Sequence, residues 1–154
     1  MSKTAEKPME LALAAAREAA RMGEVPVGAV VVKEGQVLAI ASNRTITHHD
    51  PTAHAEILAL REAAHNIGSE RLIDCDLYVT LEPCAMCAGA ISFARIRRLY
   101  FGASDSKGGA VDHGPRFFSQ PTCHHTPEIY GGMNETDAAD LLREFFKLRR
   151  EANS

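Results

Sequence analysis

Leu77-Tyr78-Val79-Thr80-Leu81 is a short run of β-branched and aromatic residues that gives way at once to Glu82-Pro83-Cys84-Ala85-Met86-Cys87-Ala88-Gly89-Ala90-Ile91. The first half reads as a strand, and Glu82-Pro83-Cys84 marks the switch to a helix running to about Ala94. Cys84 and Cys87 stand at i and i+3 on the first turn of that helix, so both sulfurs project from one face and can share one metal ion. A helix N-terminus presents partial positive charge, which lowers thiol pKa and favours the thiolate that a metal requires.

Reading outward toward the amino terminus, Pro8 to Met22 has the spacing of a surface-packed helix that ends near Gly23. Val25 to Val32 reads as a buried strand with Pro26 near its start, Lys33 to Gln36 as a turn, and Val37 to Ser42 as the hairpin partner. Asp50-Pro51-Thr52 is a helix-start signal, with Asp50 or Thr52 as the cap. The helix it opens carries His54, Glu56, Ile57, Leu60 and Ala64. Toward the carboxyl terminus, Arg98 to Ala103 makes a fourth strand. Ser104 to Met133, rich in Gly, Pro and His, is expected to be mostly loop with a short helix around Pro115 to Ser119. Glu135 to Arg150 forms a last helix with Leu141, Leu142, Phe145 and Phe146 on one face. Helices alternating with strands point to an α/β layered domain with a partly parallel sheet.

Composition sets outer bounds on this reading. A length of 154 residues fits a single domain over 1–154, with residues 1–7 expected to be flexible. Hydrophobic residues at 45% and charged residues at 24% exclude a disordered or fibrous chain. The amino terminus lacks a secretory signal and no run approaches a membrane span, so a cytoplasmic protein is expected. In that compartment the four cysteines are poor candidates for disulfides; the closely spaced Cys84 and Cys87 read as metal ligands or catalytic thiols, and Cys75 and Cys123 do not. A net charge of −3 argues against broad, salt-driven attachment to nucleic acid and leaves room for a local basic patch.

His54-Ala55-Glu56 supplies the other half of the chemistry, because helix starts that follow strands can face the same end of a sheet. One imidazole and two thiolates cancel the charge of a zinc ion, one per chain, and leave a fourth tetrahedral position open for water. Two thiolates make such a water less acidic than an all-histidine site does, so a further base is needed. Glu56, two positions from His54, is that base and the shuttle for protons. Cys-x-x-Cys alone is also half of a zinc ribbon, but Cys75 and Cys123 supply no second pair at similar spacing.

His-x-Glu followed by Pro-Cys-x-x-Cys, each opening a helix, resembles the signature of the cytidine deaminase-like superfamily. The flanking segments Glu24 to Val30, Asn43-Arg44, His49 to Ile57, Tyr78 to Ile91, Phe101-Gly102-Ala103 and Phe145 to Arg150 are similar to the bacterial tRNA-specific adenosine deaminases within it. The resemblance implies a three-layer α/β/α fold with a mixed five-stranded sheet, a homodimer, and conversion of adenosine to inosine at wobble position 34 of an arginine tRNA anticodon. It also implies that Asn43 contacts the target nucleoside, that Asp105 contacts the preceding sugar, and that a last helix with Phe145 and Arg149 reaches the anticodon loop. Ala55 and Lys107 complete the expected substrate contacts, with Arg95, Arg97, Arg98, Lys147 and Arg150 as further candidates for basic surface. Ser104 and His124 stand where that family carries Arg and Asn. His113, Cys123, His124 and His125 could form a second metal site, but their irregular loop favours reading the histidines as ordinary surface residues. Two rivals use the same residues: a deaminase of free cytosine or guanine, and a silent zinc module that binds RNA. The Asp-Pro-Thr before His54 and the Phe-Phe-Lys-Leu-Arg-Arg tail oppose the first, and Glu56 opposes the second.

Overall fold

The computed structural model describes residues 7–152, so the flexibility expected of residues 1–6 lies outside the described residues. The chain runs α1 (Pro8–Arg21), β1 (Gly28–Lys33), β2 (Gln36–Ser42), α2 (Ala55–Ile67), β3 (Cys75–Leu81), α3 (Ala85–Ala94), β4 (Arg98–Ala103), β5 (Glu128–Tyr130) and α4 (Glu135–Ala152), with a 3-10 turn at Phe117–Ser119 before β5. The strands lie in the order β2-β1-β3-β4-β5. β1 is antiparallel to β2 and β3, while β3, β4 and β5 are parallel, which makes the sheet mixed.

Alternation along the strands sends side chains to two separate cores. Val30 and Val32 pack with Met9, Ala12 and Leu13 of α1 and Ala138 of α4. Ala29, Val31, Leu77, Val79, Leu99 and Phe101 face the other way, onto Ala59, Leu60 and Ala63 of α2 and Ala88 and Ile91 of α3. Two helical layers thus enclose the sheet, as the three-layer expectation requires. α1 buries Met9, Ala12, Leu13, Ala16 and Ala19, a helical stripe, and rides so close to β1 that a Cβ at Gly28 would run into the Ala12 carbonyl.

The structure shifts several expected boundaries. β1 begins at Gly28 rather than Val25, because the Val27 N–H turns back onto the Val25 carbonyl (2.9 Å) and takes that segment off the sheet. β3 begins two residues earlier than expected, with Cys75 paired to Lys33. Neither Asp50 nor Thr52 caps α2: the Asp50 carboxylate accepts the Thr52 N–H (2.9 Å) and hydroxyl (2.7 Å), closing a turn, and the helix starts at Ala55 with His54 in the capping position. The stretch from Ser104 to Met133 holds the short helical turn near its expected place and also β5, three residues too short to carry a readable pattern.

Register fixes where the loops gather. Gly28 pairs with Ser42, Ala29 with Val79, and Leu81 with Ala103. The start of β1 and the ends of β2, β3 and β4 therefore share one edge of the sheet, the position at which α/β folds place their sites.

Candidate active site

Three donor atoms meet at that edge. His54 Nδ1 lies 3.6 Å from Cys84 Sγ and 3.5 Å from Cys87 Sγ, and all three lie within 4.8 Å of one another. A tetrahedral ion with metal–sulfur bonds of about 2.3 Å and metal–nitrogen bonds of about 2.0–2.1 Å needs N···S edges of about 3.5–3.6 Å. The observed edges match, so the donor set fits zinc. Only Cys87 is on the helix itself; Cys84, expected in the first turn, occupies the N-cap of α3 in extended conformation, a backbone state that a capping residue adopts. His54 has the same place in α2. Two helix starts thus face each other across the donors.

Charge is distributed unevenly among these groups. The hydrogen bond from Cys87 holds the Cys84 thiol down at about 4, against the opposing effect of burial and with help from His54. Cys87, which gives that hydrogen bond and is buried, is pushed up correspondingly. The hydrogen bond with Cys84 raises His54. Glu56 is buried at 4% exposure, and desolvation lifts its carboxyl to about 7. A carboxyl tuned to that value takes up and releases protons with equal ease at neutral pH.

Over the donors opens a cavity of about 340 Å³ that Asn43, Ala55, Glu56 and Asp105 line, with Val25, Val27 and Leu81 as apolar walls. Its size suits a small aromatic ligand. His54, Ala55, Glu56, Cys84 and Cys87 are thus brought together with Asn43 and Asp105. Lys107, Phe145 and Arg149 are not at the cavity. Lys107 is exposed on an adjoining groove shared with Asp105, Leu142 and Phe146. Phe145 is a buried residue of α4, and the exposed ring beside it is that of Phe146. The Arg149 guanidinium stacks 5.3 Å from the Phe145 ring and donates to the Gly23 carbonyl.

The candidate second metal cluster is not assembled. His113 bonds to Glu82, His125 to the Ile96 carbonyl (2.7 Å), and Cys123 to Ser92 and the His125 carbonyl. Among the described residues, only His54, Cys84 and Cys87 converge as a metal site.

Two further residues shape the cavity, although their place in the sequence gives neither of them a role. Glu24 is fully buried and accepts from the N–H groups of Ile46 (3.2 Å) and Thr47 (2.7 Å) and from the Thr47 hydroxyl (2.6 Å). Glu82 is buried likewise and gathers the backbone of residues 105 and 111–113. Burial would raise both carboxyls, but these hydrogen bonds outweigh it and hold both below the usual carboxylate range. The sequence signal was an acidic residue beside each apolar strand segment, but the partners are too distant in sequence for any spacing to reveal.

A triad that could hold a metal ion, a buried glutamate beside it and a cavity of about 340 Å³ on an α/β/α frame are the features expected of a deaminase site. The chain belongs to the MafB19-like deaminase family, whose model matches residues 3–150, and it is a deaminase. It is 61% identical over 142 residues to the tRNA-specific adenosine deaminase of Agrobacterium fabrum, covering 92% of this chain and 93% of that one. A structure solved in a study of A-to-I editing by tRNA:A34 deaminases at the wobble position of transfer RNA superposes with a TM-score of 0.87 at 61% identity, over 88% of this chain and 98% of that one. A guanine deaminase from Bacillus subtilis is more distant, with a TM-score of 0.62 at 31% identity over 97% and 95% of the two chains.

Proposed function

We propose that the protein is a zinc-dependent hydrolytic deaminase that converts adenosine to inosine at wobble position 34 of an arginine tRNA anticodon, with one zinc per chain on His54, Cys84 and Cys87. The observation that carries this reading is the match between the N···S edges of 3.5 and 3.6 Å and a tetrahedral ion, with Glu56 buried beside it. The tRNA substrate is supported by the 61% identical relative of that name.

When bound by His54, Cys84 and Cys87, zinc would supply Lewis acidity that lowers the pKa of water there, and Glu56 would supply the further basicity the two thiolates make necessary. Glu56 accepts a proton from the water as its oxygen adds to the ring carbon that carries the amine, and hands it to the adjacent ring nitrogen. It then takes the remaining proton of that oxygen and delivers it to the amine as the carbon–nitrogen bond breaks and ammonia leaves. Val25, Val27 and Leu81 exclude bulk water from one side of the base. A splayed anticodon base reaches such a cavity at low unstacking cost, whereas a base inside a duplex does not.

Asn43 and Ala55 are assigned to the target nucleoside and Asp105 to the preceding sugar, all three at the cavity wall. Lys107, Phe145 and Arg149 are assigned to the flanking anticodon loop, with Phe145 acting from beneath by holding Arg149. A homodimer is supported by the apolar groove between α2 and α3, where Ile57, Leu60, Ala90 and the 73% exposed Phe93 lie. No helix among the described residues is long and apolar enough to cross a membrane, and a cytoplasmic setting accords with a tRNA substrate.

The test is direct. Purified protein should form inosine in an arginine-tRNA anticodon stem-loop and leave free cytosine and guanine unchanged. The reverse pattern would transfer the protein to the free-base deaminases.

A further inference from the structure

Glu82 ends the strand that leads into the cysteine helix, and its carboxylate serves as the mounting point for a loop far along the chain. Its Oε1 accepts the Asp105 N–H (2.9 Å) and bonds His113 Nδ1 (2.8 Å). Its Oε2 accepts the N–H groups of Val111 (3.1 Å), Asp112 (2.9 Å) and His113 (3.2 Å). Backbone bonds on both sides of the carboxylate tighten the same junction, from Glu82 N–H to the Ala103 carbonyl and from Ala110 N–H to the Pro83 carbonyl, each 2.8 Å.

The loop so held has a tight centre. Asp105 Oδ1 accepts the N–H groups of Lys107 (3.1 Å) and Gly108 (2.9 Å), and the Asp105 carbonyl accepts that of Gly109 (2.9 Å). Gly109 is the point of closest approach: a Cβ there would lie 2.5 Å from the Glu82 carboxyl carbon. Asp105 and Gly108 form cavity wall, and Glu82 stands two residues before the metal ligand Cys84. One carboxylate therefore indexes the Asp105 side of the cavity to the metal side. It does so by geometry, with hydrogen-bond donors that water cannot easily replace at a 2% exposed site.

We infer that Glu82 is a positioning residue that sets the fit of the RNA substrate by holding Asp105 and the 105–113 loop at the cavity mouth. The inference rests on the RNA-deaminase reading above and adds to it the element that fixes the wall facing the preceding nucleotide.

The experiment uses the full chain with its metal. Glu82→Gln keeps the shape but turns an amide N–H toward groups that themselves donate. The KM for the arginine-tRNA stem-loop should rise about tenfold or more while kcat stays within about threefold. Metal content should remain at one per chain, and amide hydrogen exchange should quicken at 105 and 111–113 and not in α2. In an Asp105→Ala background the same replacement should change KM by less than about twofold, because the route through Asp105 is already gone. Loss of kcat or metal at unchanged KM, independent addition of the two effects, or unaltered exchange overturns the inference. Should Glu82→Gln fail to fold, Gly109→Ala, whose Cβ would crowd both the Asp105 carbonyl and the intact Glu82 carboxylate, must displace the loop and raise KM in the same way; an unchanged KM there also overturns it. Inosine formation by the unaltered protein judges the functional reading on its own, and if it fails, the exchange pattern alone decides the role of Glu82.

Discussion

The two walls of the cavity are built by opposite means. On one side His54, Glu56, Cys84 and Cys87 stand within a few residues of two helix starts, so local backbone geometry aims them. On the other, residues 45–47 and 105–113 have no regular structure of their own at the cavity and are held by Glu24 and Glu82 through long-range hydrogen bonds. Glu56 and Glu82 show the contrast within one residue type. Both are almost fully buried; desolvation lifts Glu56 to about 7, while backbone donors keep Glu82 below the usual carboxylate range despite its burial. Where desolvation outweighs the hydrogen bonds a buried carboxyl accepts, as at Glu56, the group is poised to move protons; where backbone donors outweigh burial, as at Glu82, it is a fixed acceptor that organises chain.

Replacements on the two walls should separate accordingly. The largest effect is expected at Cys87, which is wholly buried among the donors. Cys87→Ala should take metal and activity to background together, as read by elemental analysis and inosine yield on one sample; metal bound at full occupancy would break the assignment of the helix-start wall. Next comes Glu56→Ala, where deamination should fall by about 10²–10⁴-fold with metal retained. Full activity in that variant would remove the proton shuttle from the mechanism.

The smallest effect belongs to the hydrogen-bonded wall. Glu24→Gln should lower stability at neutral pH by about 2 kcal/mol through lost charge-assisted hydrogen bonds. Because the folded Glu24 carboxyl sits below its ordinary value, its contribution is complete at neutral pH and is lost as pH falls through that depressed value. The gap between variant and parent in thermal melts should therefore close on acidification. A gap that is constant with pH would mean that Glu24 acts by packing rather than as a charged acceptor.

Legibility in the sequence follows the same division. The strand at Leu77 to Leu81, the helix after Cys84 and the closing helix from Glu135 were readable because hydrophobic period and capping chemistry act over a few residues. The start of α2 was misplaced because Asp50-Pro51-Thr52 makes a turn and a helix cap from the same residue types, and the turn wins when Thr52 takes the Asp50 carboxylate. β5 stayed hidden because its three residues pair by register with β4 rather than by any pattern of their own.

From the chain alone came the proposed donor set, the proposed base and an α/β layered domain with a partly parallel sheet, since residue type and short spacing decide which groups a helix start presents; the three-layer form came from the family resemblance. Only the folded molecule decided that His54 serves as a helix cap, that Phe145 lies buried beneath Arg149, and that the acidic residues Glu24 and Glu82 hold the opposite wall. Hydrogen bonds between segments 22 to 31 residues apart leave no periodic trace in a sequence, because their geometry exists only after the sheet has set its register.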